Sequence, residues 1–195
     1  MSTAPQARVV VVDGIPMSGL LAEADGGTTP KAVIVALHGG ATTAAYFDCP
    51  GHPELSLVRS APGHGFTVLA LDRPGFGSSA LYGDEFDSTP RRIEMTYRAI
   101  DAMLGSRDRG AGVFVLAHSN GSELALRMAA HDRGRDLLGL EFSGTGLRQQ
   151  DAAAAILAGA SRENIPTGLR ELLWEPADLY PTGVSHSVRI KGGPV

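Results

Sequence analysis

The feature that most constrains this chain is an apolar run that stops abruptly at a serine and continues as a helical pattern. Residues 113–117 are typical of a buried strand, and residues 120–131 have the spacing of a helix. A tight turn between a strand and a helix presents a serine with its hydroxyl outward, provided that small residues lie two before and two after it. Ala117 and Gly121 occupy those positions here. Ser119 is therefore a candidate nucleophile.

Strands and helices alternate along the rest of the chain. The predicted strands are 9–12, 17–22, 32–37, 66–71, 113–117 and 137–142, and the predicted helices are 54–60, 89–104 and 120–131. Thr89 is predicted as the N-cap of the second helix, with Pro90 in its first turn and Gly105 at its end. The alternation predicts the α/β class, with a doubly wound, mostly parallel sheet, flanking helices and ligands at the carboxyl ends of the strands.

Composition limits the partners of the chain. Its formal net charge is −4, and it has no cluster of Lys and Arg with interleaved aromatic residues, so we expect neither nucleic acid nor a membrane as a partner. A small molecule is the better expectation. Residues 1–8 do not have the pattern of a signal peptide, and Cys49, the single cysteine, excludes an internal disulfide. We therefore expect a cytoplasmic protein.

Three loops follow three of the predicted strands. They are His38-Gly39-Gly40-Ala41, the segment 72–79 with its Asp-x-x-Gly-x-Gly-x-Ser pattern, and the turn 117–121. In order and spacing they resemble the α/β-hydrolase family, over residues 9–147. The resemblance implies an α/β-hydrolase fold with Ser119 as the nucleophile and an oxyanion hole formed by the backbone N–H groups of Gly40 and Asn120. It also implies that the loop 72–79 shapes the site without taking part in the chemistry.

The chemistry of acyl transfer agrees with this arrangement. The reaction places negative charge on a former carbonyl oxygen, and two preorganised N–H groups at that point lower the barrier by several kcal/mol. Gly40 has no side chain to obstruct its N–H, and the helix that begins near Asn120 adds its positive end. We therefore expect a serine hydrolase that cleaves an ester, thioester or related acyl bond of a small molecule, without a cofactor or a metal.

The catalytic base and acid are not evident in the sequence. The resemblance implies the order Ser, acid, His, with the last two on loops after further strands. His186 is the only histidine after His131 and is the candidate base, and Asp151 and Asp178 are candidate acids. Too few residues follow 147 for a cap and two more strands. We therefore expect residues 1–147 to form the core, the chain to end inside a cap at 148–195, and turnover to be weak or absent.

One other interpretation stays open. The chain could be a non-catalytic ligand-binding protein with a hydrolase-like fold, which keeps the pocket without cleaving an ester. Among the remaining histidines, His38 is expected to brace its loop by hydrogen bonding, and His118 is expected to be structural. The substrate and the oligomeric state do not follow from the sequence.

Overall fold

A computed structural model describes residues 4–27 and 29–145. The strands are β1 (Gln6–Val12), β2 (Ile15–Ala22), β3 (Ala32–Leu37), β4 (Phe66–Leu71), β5 (Val113–His118) and β6 (Leu137–Ser143). The helices are α1 (Leu57–Ser60), α2 (Thr89–Leu104) and α3 (Asn120–Ala130), and short 3₁₀ segments lie in the loops. The strands form one sheet in the order β1-β2-β4-β3-β5-β6.

The sheet is mixed but mostly parallel. β4, β3, β5 and β6 run parallel to one another, whereas β2 is antiparallel to both β1 and β4. The carboxyl ends of the parallel strands therefore meet at one edge of the sheet, where the loops after β3, β4 and β5 lie together. This topology confirms the predicted fold class.

The two faces of the sheet carry separate cores, which explains why β3 is apolar throughout and β4 has Thr67 as its one polar residue. Val35 and Leu37 belong to a core shared with α2 and α3, and Ala36 belongs to a second core that includes Val58 of α1. Because successive side chains of a strand point to opposite faces, a strand covered on both faces accepts a polar residue only where it is hydrogen-bonded, as Thr67 is by the N–H of Ala24. The helices therefore flank the sheet on both sides, as a doubly wound fold requires.

Several predicted element bounds are wrong. β1 begins at Gln6 and β2 at Ile15, earlier than the predicted starts at 9 and 17. The segment 54–60 is not one helix, because Ser56 has extended backbone and separates a 3₁₀ turn, Pro53–Leu55, from the single turn of α1. The N-cap of α2 is Ser88 and not Thr89, since the Ser88 hydroxyl accepts from the Arg91 N–H at 3.4 Å. Gly105 ends the helix, as predicted.

The predicted cap, residues 148–195, lies outside the described residues, and so do His186, Asp151 and Asp178. In the part of the chain that the structure describes, none of the helices has both the length and the apolar character needed to cross a bilayer.

Candidate active site

Ser119 lies on a strained bend between β5 and α3. Its backbone has φ 51° and ψ −122°, and only two other non-glycine residues in the described ranges have positive φ. Such a conformation costs about 1–3 kcal/mol and persists only where the surroundings enforce it. The N–H of Ser119 donates to the carbonyl of Ser143 at 2.8 Å, and the carbonyl of Ser119 accepts from the N–H of Ser122 at 2.9 Å. These bonds to β6 and α3 hold the bend.

The two small residues around Ser119 allow α3 to approach β3 closely. A Cβ at Gly121 would collide with the carbonyl oxygens of Leu37 and His38, at the end of β3. Ala117 is fully buried, and the structure accommodates its methyl group where the usual pattern has glycine. The helix therefore starts directly over the carboxyl end of the sheet.

The loop after β3 lies against the serine. Gly39 is buried, and a Cβ built on it would be 3.0 Å from the Cβ of Ser119 and 2.9 Å from Nδ1 of His118. The N–H groups of Gly40 and Asn120 donate no hydrogen bond within residues 4–27 and 29–145. The two predicted oxyanion donors thus come from the two segments that meet at Ser119.

Asp72 ties this loop to the rest of the site. The side chain is 7% exposed, its Oδ1 accepts from the N–H of Ala44 at 2.6 Å, and its Oδ2 accepts from the hydroxyl of Ser18 at 2.5 Å. Gly77 packs so closely on this carboxylate that a Cβ there would collide with it. One buried side chain therefore joins β2, the loop after β3 and the loop after β4.

His38 is fully buried and hydrogen-bonded at both ring nitrogens. Nε2 accepts from the backbone N–H of Arg73 at 3.1 Å, so Nδ1 carries the proton and donates to the carbonyl of Gly39 at 2.8 Å. Burial, followed by the positive charge of Arg73, lowers the pKa of His38 from 6.5 to about 4. The imidazole is therefore neutral at pH 7 and braces its loop, as expected from the sequence.

Arg73 is a part of the site that the sequence did not single out. Its Nη2 donates to the carbonyl of Gly39 at 2.8 Å, and its guanidinium carbon lies 4.5 Å from the centre of the Phe76 ring. Burial lowers the pKa of this guanidinium from 12.5 to about 10, so it stays charged at pH 7. The charged guanidinium of Arg73 therefore binds the residue that precedes Gly40, the predicted oxyanion donor.

The depressed pKa of His38 gives the fold a pH dependence. Between pH 6.5 and 4 the unfolded chain binds a proton at this position and the folded chain does not, so the free energy of unfolding falls as the pH decreases through that window. The difference in pKa corresponds to about 3 kcal/mol. Urea denaturation at a series of pH values measures it. The His38→Gln variant should lose most of this dependence, and a wild-type stability that is constant from pH 6.5 to 4 would contradict the prediction.

The described ranges do not identify a base for Ser119. The structure gives the Ser119 hydroxyl no hydrogen bond to a histidine or a carboxylate within residues 4–27 and 29–145. His118 stacks on Tyr46, with ring centres 4.7 Å apart, and burial lowers the pKa of His118. The roles of Ser119, Gly40, Asn120 and His186 stay predictions.

Comparison with known proteins identifies the family of this fold. The family model described as Hydrolase_4 (serine aminopeptidase, S33) matches residues 28–182. That range includes all three loops at the carboxyl edge of the sheet. No curated protein matches the chain significantly.

Solved structures with the same architecture are hydrolases. The chain is similar to a CIB-like hydrolase from Thermoplasma acidophilum, with 21% identity, a TM-score of 0.54, and 71% of this chain aligned to 62% of that one. It is also similar to a bacterial membrane phospholipase A, with 19% identity, a TM-score of 0.65, and 92% of this chain aligned to 55% of that one. A thioesterase domain from the curacin biosynthetic pathway has 17% identity and a TM-score of 0.56, with 85% of this chain aligned to 55% of that one. The chain thus spans between about half and three-fifths of the length of these proteins.

Proposed function

The chain belongs to the Hydrolase_4 family (serine aminopeptidase, S33) of α/β hydrolases, and from that membership we propose that it is a serine hydrolase with Ser119 as its nucleophile. The substrate is a small molecule with an ester, thioester or related acyl bond. The backbone N–H groups of Gly40 and Asn120 stabilise the oxyanion that forms when the serine attacks.

The contact between Gly39 and the strained bend at Ser119 carries this proposal. The bend costs free energy, and the loop after β3 approaches so closely that a side chain at position 39 would displace His118 or Ser119. A turn that only joined a strand to a helix would need neither feature. Both are needed where a hydroxyl must lie beside backbone N–H groups that bind a developing negative charge.

The acyl bond is inferred from the proteins with the same fold. Two of the three structures named above are a phospholipase and a thioesterase domain. Serine nucleophiles attack acyl carbons in such reactions and form a covalent acyl-enzyme. A general base must remove the proton of Ser119, and His186 is the candidate for that role. The cytoplasmic location stays a prediction from the sequence.

Labelling with a fluorophosphonate probe tests the nucleophile. We expect one equivalent of phosphonate per chain, located on Ser119 by peptide mass spectrometry, and no labelling of the Ser119→Ala variant. Ser60→Ala is the matched control, because Ser60 lies in α1 and its hydroxyl donates only to the nearby carbonyl of Ser56. It should label like the wild type. Because turnover is expected to be weak, labelling is followed to completion, and folded protein that is still unlabelled at Ser119 would contradict the assignment.

The alternative function is ligand binding without catalysis. It is favoured by one observation, that the part of the chain described by the structure contains no histidine bonded to the Ser119 hydroxyl. The Ser119→Ala variant separates the two functions when both proteins are titrated with a short-chain thioester. If the chain only binds ligands, the wild type and the variant have the same affinity and neither releases thiol. If it is a hydrolase, the wild type releases thiol and the Ser119→Ala variant does not.

A further inference from the structure

We propose that His38 and Arg73 are positioning residues that fix the Gly39–Gly40 peptide and thereby orient the Gly40 N–H toward the oxyanion. The inference rests on the proposed function, since it concerns the donor assigned there to Gly40. It adds a role for Arg73, which no motif in the sequence indicated.

The argument starts from the geometry of one peptide unit. The carbonyl of Gly39 and the N–H of Gly40 belong to the same planar group, and the described residues contain no cis peptide bond. In a trans peptide the C=O and N–H bonds point in opposite directions. Any group that holds the oxygen of Gly39 therefore also sets the direction of the Gly40 N–H.

Two donors hold that oxygen. Nδ1 of His38 and Nη2 of Arg73 both lie 2.8 Å from it. A carbonyl oxygen has two lone pairs, so the two bonds saturate it. A single hydrogen bond leaves a peptide able to rotate about its Cα–Cα axis, whereas two donors from different segments restrain that rotation.

Both donors are themselves held in place. The imidazole of His38 is fully buried and accepts from the backbone N–H of Arg73, so the two residues restrain each other. Phe76 packs edge-on against the His38 ring at 5.0 Å and lies under the Arg73 guanidinium. The donors are therefore preorganised, which is the condition under which an oxyanion hole gains most over water.

The charge of Arg73 adds to the effect of its position. Within residues 4–27 and 29–145 this arginine has no ion pair with a carboxylate, and its Nε is buried without a hydrogen-bond partner. Its guanidinium donates to the Gly39 carbonyl. A cationic donor polarises the peptide it binds, and hydrogen bonds in series strengthen one another. The Gly40 N–H is therefore a stronger donor than that of an unpaired peptide.

Replacement of Arg73 tests the proposal through two readouts. The first is the second-order rate of Ser119 labelling by a fluorophosphonate, because the phosphoryl oxygen of that probe takes the place of the oxyanion. The second is the NMR chemical shifts of the Gly39 carbonyl carbon and the Gly40 amide nitrogen, which report on this peptide without requiring activity. The variants are Arg73→Met, which keeps the packing on Phe76, and Arg73→Lys, which restores a cationic donor.

Arg107→Met is the matched control. Arg107 also donates to backbone carbonyls, those of Met103 and Leu104, but it lies beyond the end of α2 and pairs with Glu23, which follows the end of β2 farthest from the site. Thermal unfolding verifies that each variant is folded. If Arg73→Met does not fold, Arg73→Gln is measured in its place, with the same direction of change expected.

We expect Arg73→Met to slow labelling about tenfold and to shift both peptide signals, with partial recovery in Arg73→Lys and no change in Arg107→Met. Labelling at the wild-type rate in Arg73→Met overturns the proposal, and so does slower labelling with unchanged peptide signals. If the wild type is not labelled, the proposed function fails. The NMR signals of the Gly39–Gly40 peptide then test the present inference by themselves. A shift of these signals in Arg73→Met supports it, and unchanged signals overturn it.

Discussion

Replacement of Gly121 by alanine is expected to lower the free energy of unfolding by about 3 kcal/mol and to slow labelling of Ser119 about 100-fold. The new methyl group would collide with the carbonyl oxygens of Leu37 and His38, which belong to the backbone and cannot turn aside like a side chain. The start of α3 must then move away from β3. Ser119 moves with it, so the stability and the chemistry are lost together.

Gly63→Ala is the matched control for this variant. A Cβ at Gly63 meets one atom within 4 Å, a carboxylate oxygen of Asp25 at 3.8 Å, and the backbone there has no positive φ. We expect its unfolding free energy to stay within about 0.5 kcal/mol of the wild type. Urea denaturation and labelling kinetics measure both effects. A Gly121→Ala protein that matches the control in both would show that α3 can shift without cost.

The second large effect is expected for Asp72→Ala. This substitution leaves the N–H of Ala44 without its acceptor in a buried position and removes the acceptor of the Ser18 hydroxyl. Hydrogen bonds to a charged group contribute about 1.5–3 kcal/mol each, and part of that is retained as water enters. We expect the free energy of unfolding to fall by about 3 kcal/mol. The loop after β3 loses its anchor, so labelling of Ser119 should also slow.

Asp72→Asn separates the shape of this side chain from its charge. The amide oxygen can still accept from the N–H of Ala44, but the amide nitrogen faces Ser18 and donates where the carboxylate accepted. We expect about half of the loss seen for Asp72→Ala, measured by urea denaturation. Equal losses in the two variants would mean that the bond to Ser18 supplies the anchoring, and no loss in either would contradict the role assigned to Asp72.

The sheet was predictable because its strands are buried on both faces. β3 and β4 have the predicted bounds, since each is a largely apolar run that ends at a polar residue, His38 or Asp72. The mostly parallel direction of the strands followed from the alternation of strands and helices. The order of β4 and β3 in the sheet required the strand pairing itself, which no local pattern contains.

The two errors in the helices had different causes. Ser88 and Thr89 are both good N-caps, and proline is tolerated at either of the first two helical positions, so the sequence could not choose between them. In the segment 54–60, the hydroxyl of Ser56 donates to Asp48 at 2.9 Å. That contact joins residues eight apart and accompanies the break in the helix, which helical propensity alone does not reveal.

The candidate site was predictable only in its backbone. Short motifs indicated Ser119, Gly40 and the loop 72–79, because a sharp turn or a close approach restricts which residues fit. The bonds of Arg73 to the Gly39 carbonyl and to the His38 ring were not predictable, since the two segments are about 35 residues apart in sequence and meet only through the pairing of β3 with β4. Long-range polar contacts leave no periodic signal.

The left-handed bend at Ser119 has a consequence for how such a chain evolves. Glycine adopts that backbone without strain, so a population under selection for folding alone would gain stability by losing the hydroxyl. Serine at this position is thus disfavoured by the fold in which it is placed. If Ser119 is the nucleophile, as proposed, activity would be lost by a mutation that stabilises the fold, and its recovery would require one that makes the protein less stable.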